Sequence, residues 1–211
     1  MDTLKYIKQK YKLRYLASMP ITLPIERNKG FTALCNELGF TVGAEIGTAH
    51  GRYAWWLLEK INGLKLYSVD PWAVYPRYPT QLHDAAGQKI YDDMFEQAKR
   101  KLAGRNVEFV KKYSMNAIKD FEDESLDFVY IDANHTFEFV INDIAEWERK
   151  VRRGGIVAGH DYWNSSRRKM KYCQVKDAID AWTTTNRIKP WFITKEVNGE
   201  NQGASWFYVK Q

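Results

Sequence analysis

Hydrophobic residues along the chain recur at two different spacings, and segments of the two kinds alternate. Some apolar runs are short and continuous, such as Leu126–Asp132, which is typical of a strand covered on both faces. In other segments the apolar residues recur every four residues, as Ile90, Met94 and Ala98 do within Lys89–Leu102, which is typical of a helix with one buried face. The pattern therefore predicts alternating strands and helices from residue 41 onward.

The predicted elements follow one another as they do in a parallel α/β sheet. Strands are predicted over Thr41–Ile46, Lys65–Asp70, Val107–Lys111, Leu126–Asp132 and Ile156–Gly159. Helices are predicted over Arg52–Ile61, Lys89–Leu102, Asn116–Phe121, Glu138–Val151 (capped by Arg153, Gly154 and Gly155) and Val175–Thr183. An antiparallel pair is predicted to close the sheet, formed by Trp191–Lys195 and Ser205–Lys210. This order predicts an α/β fold, a Rossmann-like doubly wound sheet with helices on both faces.

Two stretches depart from the alternation. Residues 1–40 have a helical and polar pattern that is broken by Pro20 and Pro24, and a helix over Phe31–Leu38 is predicted to end at Gly39. This N-terminal segment is a candidate lid or dimer element, or it packs on the sheet. Residues 71–88 are too long for an ordinary connection, so they are predicted to be a functional loop on the substrate side.

Composition restricts the class of protein. The 211 residues with 45% hydrophobic content suit a single domain spanning 1–211, and no apolar run approaches the ~20 residues of a membrane span. Cys35 and Cys173 have no metal-binding spacing, so we expect reduced thiols and a cytoplasmic protein. The net charge of +6 includes a dense basic cluster at 165–171, but solvated helix faces and loop ends explain such charges without a nucleic-acid partner.

A glycine-containing turn carries the first candidate site. Gly43, Gly47 and Gly51 stand four residues apart, whereas a dinucleotide fingerprint requires G-x-G-x-x-G. Glu45 precedes Gly47 by two residues, and a carboxylate there repels a phosphate and attracts an amine-bearing ligand. S-adenosylmethionine (SAM) carries an ammonium and a sulfonium, so Glu45, Gly47, Thr48 and Gly51 are predicted to bind it at the positive end of the next helix.

The ends of the next two strands offer further cofactor contacts. Ligands of open α/β sheets lie outside the carboxyl ends of the strands. Asp70 follows the second predicted strand, and its carboxylate can accept both ribose hydroxyls of a nucleoside. Ser114 and Met115 follow the third, and a hydroxyl with a flat apolar side chain suits the edge and face of adenine.

The fourth and fifth strand ends offer metal-binding and acid–base chemistry. Asp132, His160 and Asp161 can converge on one point, and carboxylate and imidazole ligands suit Mg²⁺ or a similar divalent ion. His160 and Asp161 are adjacent, so both can face one ion only if the strand has ended. Asp132 is also a candidate SAM contact, catalytic residue or helix cap. His135 follows Asp132 closely enough to act as the general base on an acceptor hydroxyl.

These motifs together resemble the class I SAM-dependent methyltransferases. The match covers residues 40–165 and rests on Asp127–His135, similar to "Y-I-D-x-x-H", and on Gly154–Tyr162, similar to "G-G-x-x-x-G-H-D-Y". Within that class the chain resembles the macrocin-type O-methyltransferases and, more distantly, catechol O-methyltransferase. The resemblance implies seven strands in the order 3-2-1-4-5-7-6 with the last one antiparallel, and a divalent metal on Asp132, His160 and Asp161 with His135 as base. Many relatives have two acidic residues where this chain has His160 and Asp161.

The sequence thus predicts a SAM-dependent O-methyltransferase. The predicted acceptor is a hydroxylated small molecule, sugar or phenol-like, and a divalent cation such as Mg²⁺ is predicted to assist. We expect neither a nucleic-acid nor a membrane partner, and a homo-oligomer is a candidate assembly. Two alternatives stay open: an RNA or protein methyltransferase that uses the basic surface, and a non-catalytic SAM- or nucleotide-binding module. An NAD-linked oxidoreductase is disfavoured by the glycine spacing and by Glu45.

Overall fold

The fold is described from a computed structural model, which covers residues 2–13, 18–74, 85–162, 173–195 and 204–211. Its helices are α1 (Thr3–Lys10), α2 (Arg27–Leu38), α3 (Arg52–Lys60), α4 (Ala85–Leu102), α5 (Ser114–Ala117, continued by a 3₁₀ turn over Ile118–Asp120), α6 (Phe137–Lys150) and α7 (Val175–Thr185). Its strands are β1 (Ile21–Thr22), β2 (Val42–Ile46), β3 (Lys65–Val69), β4 (Val107–Val110), β5 (Leu126–Ile131), β6 (Val151–Tyr162), β7 (Phe192–Ile193) and β8 (Ala204–Val209).

The strands form one mixed sheet in the order β1-β7-β8-β6-β5-β2-β3-β4. The central strands are parallel, while β8 runs antiparallel to both β6 and β7, as predicted for the closing pair. From β2 onward the order is the expected one, but the expected total of seven strands is wrong. The two-residue β1 extends the sheet at its edge by pairing Ile21 with Phe192, and a strand this short leaves no period for sequence analysis to detect.

Two hydrophobic cores lie on opposite faces of the sheet, and β5 contributes to both. Its Phe128 and Tyr130 face the first core, where Phe31 of α2 lies edge-on against both rings at 5.7 and 5.6 Å. Its Val129 and Ile131 face the second core, which also contains α6 and α7. The described part of the N-terminal segment belongs to the first core, since Phe31 is fully buried there.

Two predicted boundaries are corrected. Helix α4 begins at Ala85, so the last residues of the predicted loop 71–88 are helical, while 75–84 lie outside the described residues. Helix α6 ends at Lys150 and β6 begins at once, so Gly154 and Gly155 do not cap it. Gly155 instead permits close approach of β5, because a Cβ there would lie 2.5 Å from the carbonyl oxygen of Asp127.

Cys35 and Cys173 are both buried as thiols. The basic cluster at 165–171 lies outside the described residues. Among the helices in the described ranges, none has both the length and the apolar composition needed to cross a bilayer.

Candidate functional site at the strand ends

The predicted glycine turn, residues 47–51, connects β2 to α3. Gly47 has a φ of +93° and donates its N–H to the carbonyl of Val69 at 2.8 Å. Gly51 closes the turn by donating to the carbonyl of Thr48 at 2.8 Å, and it is the N-cap of α3. A Cβ at Gly47 would lie 2.3 Å from the carbonyl oxygen of Asp132, so only glycine allows this turn to lie against the end of β5.

Glu45 is buried beneath the turn with part of its polar capacity unused. It stands in register with Ser68 on β3 and Tyr130 on β5, and only 1% of its surface is exposed. Its Oε2 and the nearby Oγ1 of Thr48 have no hydrogen-bond partner among the described residues. Burial raises the pKa of Glu45 to about 8. A buried carboxyl with one oxygen free in this position suits a cationic ligand that reaches the turn.

Asp70 stabilises the conformation of the same turn. Its Oδ2 accepts the N–H of Ala49 at 2.9 Å and its Oδ1 accepts the N–H of Trp72 at 2.8 Å. The indole N–H of Trp72 in turn donates to the carbonyl of Ala49 at 2.8 Å. Burial raises the pKa of Asp70. The carboxylate has four lone pairs, of which the backbone N–H groups of Thr48, Ala49 and Trp72 use at most three, so at least one remains for the predicted contact with ribose.

Ser114 and Met115 stand at the start of α5, as the adenine-binding prediction requires, but the serine hydroxyl is already engaged. It donates to Asp143 and accepts the indole N–H of Trp147 at 2.7 Å, all within the protein interior. An adenine contact from Ser114 would therefore have to come from its backbone. Met115 is partly exposed, so its side chain is the one that could reach a ligand.

Four side chains from the ends of β5 and β6 meet as predicted, and we call Asp132, His135, His160 and Asp161 the strand-tip cluster. His135 lies between the two carboxylates, with Nε2 3.3 Å from Asp132 Oδ1 and Nδ1 3.4 Å from Asp161 Oδ2. His160 Nδ1 lies 3.1 Å from Asp161 Oδ1. The side chains of His160 and Asp161 are 7% and 8% exposed.

The backbone of Asp161 explains how two adjacent residues face the same cluster. Its φ is +57°, in the left-handed region that a residue with a Cβ seldom adopts. The pairing of β6 with β8 shifts register between Gly159 and Tyr162, at the same place. The regular alternation of the strand thus ends before Asp161, and His160 and Asp161 converge. Strained backbone of this kind is concentrated at functional sites.

Arg27, which no sequence motif indicated, completes the cluster. Its Nη2 donates to Asp132 Oδ2 at 2.9 Å, and its Nη1 lies 3.1 Å from His160 Nε2. The guanidinium carbon stands over the ring of Tyr53 at 4.2 Å and 5.4 Å from the ring centre of Tyr130. Arg27 lies 105 residues before Asp132 and begins α2, so no local spacing connects the two residues.

The charges of the cluster support one another. Burial alone would raise the pKa of Asp132, but the hydrogen bond from His135 and the charges of His160 and Arg27 hold it well below its usual range. Burial alone would lower the pKa of His135, but the hydrogen bond to Asp132 and the charges of Asp132 and Asp161 raise it. The ionised form of Asp132 is therefore favoured, and Arg27 is the partner whose charge does not depend on a ring proton.

The predicted metal ligands lie together, but a cationic side chain already contacts two of their donor atoms. Asp132, His160 and Asp161 each offer one ligand atom, all within 4.8 Å of one another. However, Arg27 already binds an oxygen of Asp132 and the Nε2 of His160. A divalent cation at this point would be repelled by the fixed positive charge of Arg27 beside it. Metal binding stays a prediction that the position of Arg27 opposes.

Known proteins support the assignment of the fold. A family model described as a methyltransferase domain (Methyltransf_24) matches residues 44–162. The uncharacterized protein R132 of Acanthamoeba polyphaga mimivirus is 27% identical over 123 residues, which make up 56% of this chain and 50% of that protein. The chain therefore spans about half the length of this curated relative.

Two solved structures share the fold over nearly the whole chain. The O-methyltransferase from Bacillus cereus, in complex with S-adenosylhomocysteine (SAH), aligns with a TM-score of 0.61 at 17% identity and covers 99% of this chain and 90% of its own. The O-methyltransferase TomG from Streptomyces achromogenes, involved in tomaymycin synthesis and solved with SAM, has a TM-score of 0.62 at 15% identity over 100% of this chain and 91% of its own. Since the family model covers more than half of the sequence, the chain belongs to the methyltransferase-domain family, and it has the class I methyltransferase fold that its motifs predicted.

Proposed function

We propose that this chain is a SAM-dependent O-methyltransferase that acts on a hydroxyl of a small molecule such as a sugar or a phenol. The observation that carries the proposal is the contact of Gly47 with Asp132, which places a turn suited to the cofactor against acid–base side chains. Two structural relatives were solved with SAM or SAH, which agrees with that role for the turn. SAM supplies a methyl group on a positively charged sulfur.

The proposed cofactor contacts come from the ends of four neighbouring strands. Glu45 is the proposed partner of the ammonium, because its buried Oε2 lacks any other. Asp70 is the proposed partner of the ribose hydroxyls, through the lone-pair capacity that the backbone leaves unused. The full set of proposed SAM contacts is Glu45, Gly47, Thr48, Gly51, Asp70, Ser114, Met115 and Asp132.

His135 is the proposed general base. We place the acceptor hydroxyl within hydrogen-bond reach of His135 Nε2, whose contact with Asp132 Oδ1 at 3.3 Å is longer than the ~2.8 Å of a tight charge-assisted hydrogen bond. The hydroxyl proton passes to Nε2, while Asp161 beside Nδ1 orients the ring and stabilises the imidazolium that forms. The acceptor oxygen bonds to the methyl carbon as the carbon–sulfur bond breaks, and that electron pair stays on sulfur. Alignment of the two reactants supplies most of the rate enhancement.

The acceptor side is assigned to the segment 71–88. Its first residues lie against the glycine turn, since the indole N–H of Trp72 donates to the carbonyl of Ala49 at 2.8 Å, and the hydroxyl of Tyr113 donates to the carbonyl of Val74 at 3.0 Å. A segment that begins beside the glycine turn suits the proposed contact with a small acceptor. A cytoplasmic location and a homo-oligomeric state are part of the same proposal.

Calorimetric titration with SAM, SAH and NAD tests the cofactor, followed by a screen of sugars and phenols that measures SAH formation. We expect binding of the first two ligands with a Kd of about 1–100 µM, no binding of NAD, and turnover with a hydroxylated acceptor. Failure to bind SAM and SAH would overturn the proposal. Salt-dependent retention on RNA would favour the RNA methyltransferase, and binding without turnover on any acceptor would favour a non-catalytic module.

A further inference from the structure

Arg27 occupies the position in the strand-tip cluster where the resemblance placed a metal ion. One terminal nitrogen binds Asp132 Oδ2 at 2.9 Å and the other lies 3.1 Å from His160 Nε2. These are two of the three residues that the resemblance assigned to the metal. The cluster thus already contains a cation, and that cation is part of the chain.

The proton positions follow from the chemistry of arginine. A guanidinium only donates hydrogen bonds, so His160 Nε2 must be the acceptor and the ring proton must lie on Nδ1. Nδ1 is 3.1 Å from Asp161 Oδ1, where it can donate that proton. Both nitrogens of His160 are therefore engaged, and its one lone pair, on Nε2, is not available to a metal ion while Arg27 is in place.

Aromatic packing holds Arg27 in this position. Its guanidinium stands over the buried rings of Tyr53 and Tyr130, at 4.2 and 5.4 Å. Only 16% of the Arg27 side chain is exposed. Stacking on two fixed rings limits the side-chain freedom that an exposed arginine would have. The cation is therefore built into the wall of the site.

We infer that Arg27 replaces the divalent cation of the reaction, so that methyl transfer in this protein needs no metal. The inference rests on the proposed function. Arg27 is a positioning residue: it binds Asp132, orients His160, and adds a positive charge beside the acceptor oxygen as that oxygen loses its proton to His135. The carbon–oxygen bond then forms and the carbon–sulfur bond breaks as before, and Arg27 keeps all its protons throughout.

Metal binding can be measured without an acceptor, by following Mn²⁺ with electron paramagnetic resonance. We expect the wild-type protein to bind Mn²⁺ only weakly, with a Kd above about 1 mM. Arg27→Met leaves two carboxylates and an imidazole without a competing charge, so we expect its Mn²⁺ affinity to be at least about tenfold higher. The matched control, Arg27→Lys, retains a cation and is expected to bind no better than wild type. Adding Asp132→Asn to Arg27→Met should remove the gained site.

Micromolar Mn²⁺ binding by the wild-type protein that Asp132→Asn abolishes would overturn the inference. A folded Arg27→Met protein that gains no Mn²⁺ would do the same, since Arg27 would then not be what excludes the ion. If Arg27→Met does not fold, the wild-type and Asp132→Asn titrations decide the question. SAH titration of the same samples separates this result from the proposed function, because absent SAH binding refutes the methyltransferase whatever the metal result.

Discussion

Gly47 lies so close to Asp132 that a Cβ on the glycine would stand 2.3 Å from the carbonyl oxygen of the aspartate. The backbone on either side is hydrogen-bonded as well, since the N–H of Asp132 donates to the carbonyl of Ile46 at 2.8 Å. The glycine turn at residues 47–51 and the strand-tip cluster are therefore connected by direct backbone contact. A change that moves one of them must also move the other.

The first prediction concerns Gly47→Ala. Because the added methyl group meets backbone atoms of Asp132 and Ala133, the turn or the end of β5 must shift. We expect SAH affinity to fall at least about tenfold, measured by calorimetry. Gly63→Ala is the control: Gly63 has a similar left-handed φ of +67° but nothing within 4 Å, so it should cost about 1 kcal/mol of stability and leave SAH binding unchanged. Equal behaviour of the two variants would refute the coupling.

The second prediction concerns the proton on Glu45. With a pKa of about 8, the buried carboxyl carries a proton at pH 7 in the ligand-free protein. An ammonium beside it favours the ionised form, so binding of SAH at pH 7 should release close to one proton. Calorimetry in buffers of different ionisation enthalpy measures this number. Glu45→Gln should release none and bind at least about tenfold more weakly, since a hydrogen bond to a charged group is lost.

A surface carboxylate serves as the control for that experiment. Glu108→Gln removes an acid that is exposed on β4 and paired with Lys65, away from the turn. Its proton release and SAH affinity should equal those of the wild type. Proton release that persists in Glu45→Gln would show that another group titrates on binding, and the ammonium assignment would fail.

Local patterns explain what was predictable from the sequence. The order of the central strands follows from alternating periodicities, and the site residues at strand ends follow from where each apolar run stops. The position of Arg27 follows from neither. It depends on how α2 packs, which is set by Phe31 lying against Phe128 and Tyr130 on β5. Such long-range packing leaves no spacing signal in the sequence.

Individual backbone angles could not be predicted from the sequence either. The motif placed His160 beside Asp161 but left open whether both could face one point. The left-handed φ of Asp161 decides it, and this conformation depends on the local end of pairing between β6 and β8. Likewise the engagement of Ser114 by Asp143 and Trp147 depends on α6 packing behind α5, so the residue type alone could not show that its hydroxyl makes internal hydrogen bonds.

The third prediction concerns Asp143, whose buried carboxyl accepts the hydroxyl of Ser114. Burial raises its pKa to about 7, compared with about 3.9 in an unfolded chain. The folded state therefore favours the protonated acid. The contribution of Asp143 to the free energy of unfolding is fully present below about pH 4 and is lost as the pH rises toward 7. The free energy of unfolding of Asp143→Asn relative to wild type should therefore rise by about 2 kcal/mol between pH 5 and pH 8, in favour of the variant. Urea unfolding at both pH values measures the difference.

An acid with the opposite shift provides the comparison. The hydrogen bond from Lys150 lowers the pKa of Asp123, an exposed residue, so its favourable interaction is lost as the pH falls. Asp123→Asn should therefore bring no gain in stability at pH 8. A stability difference between Asp143→Asn and wild type that is the same at pH 5 and pH 8 would show that Asp143 is ionised in the fold at both.

The fourth prediction separates the two roles of Asp70, which holds the turn and is the proposed partner of ribose. Asp70→Ala should weaken SAH binding at least about tenfold, but loss of its bonds to Ala49 and Trp72 alone could cause that. The ligand therefore has to be varied together with the protein. Wild-type protein should bind SAH at least about tenfold more tightly than 2′-deoxy-SAH, because a hydrogen bond to a carboxylate is lost.

In Asp70→Asn the preference for the ribose hydroxyl should shrink, because an amide keeps one acceptor oxygen for the turn and replaces the other with a donor. The two ligands and two proteins form a double-mutant cycle, and calorimetry measures the coupling between Asp70 and the hydroxyl. A distorted turn weakens both ligands equally and leaves the preference intact. A preference of the same size in wild type and Asp70→Asn would therefore assign Asp70 to the turn alone and remove it from the ribose site.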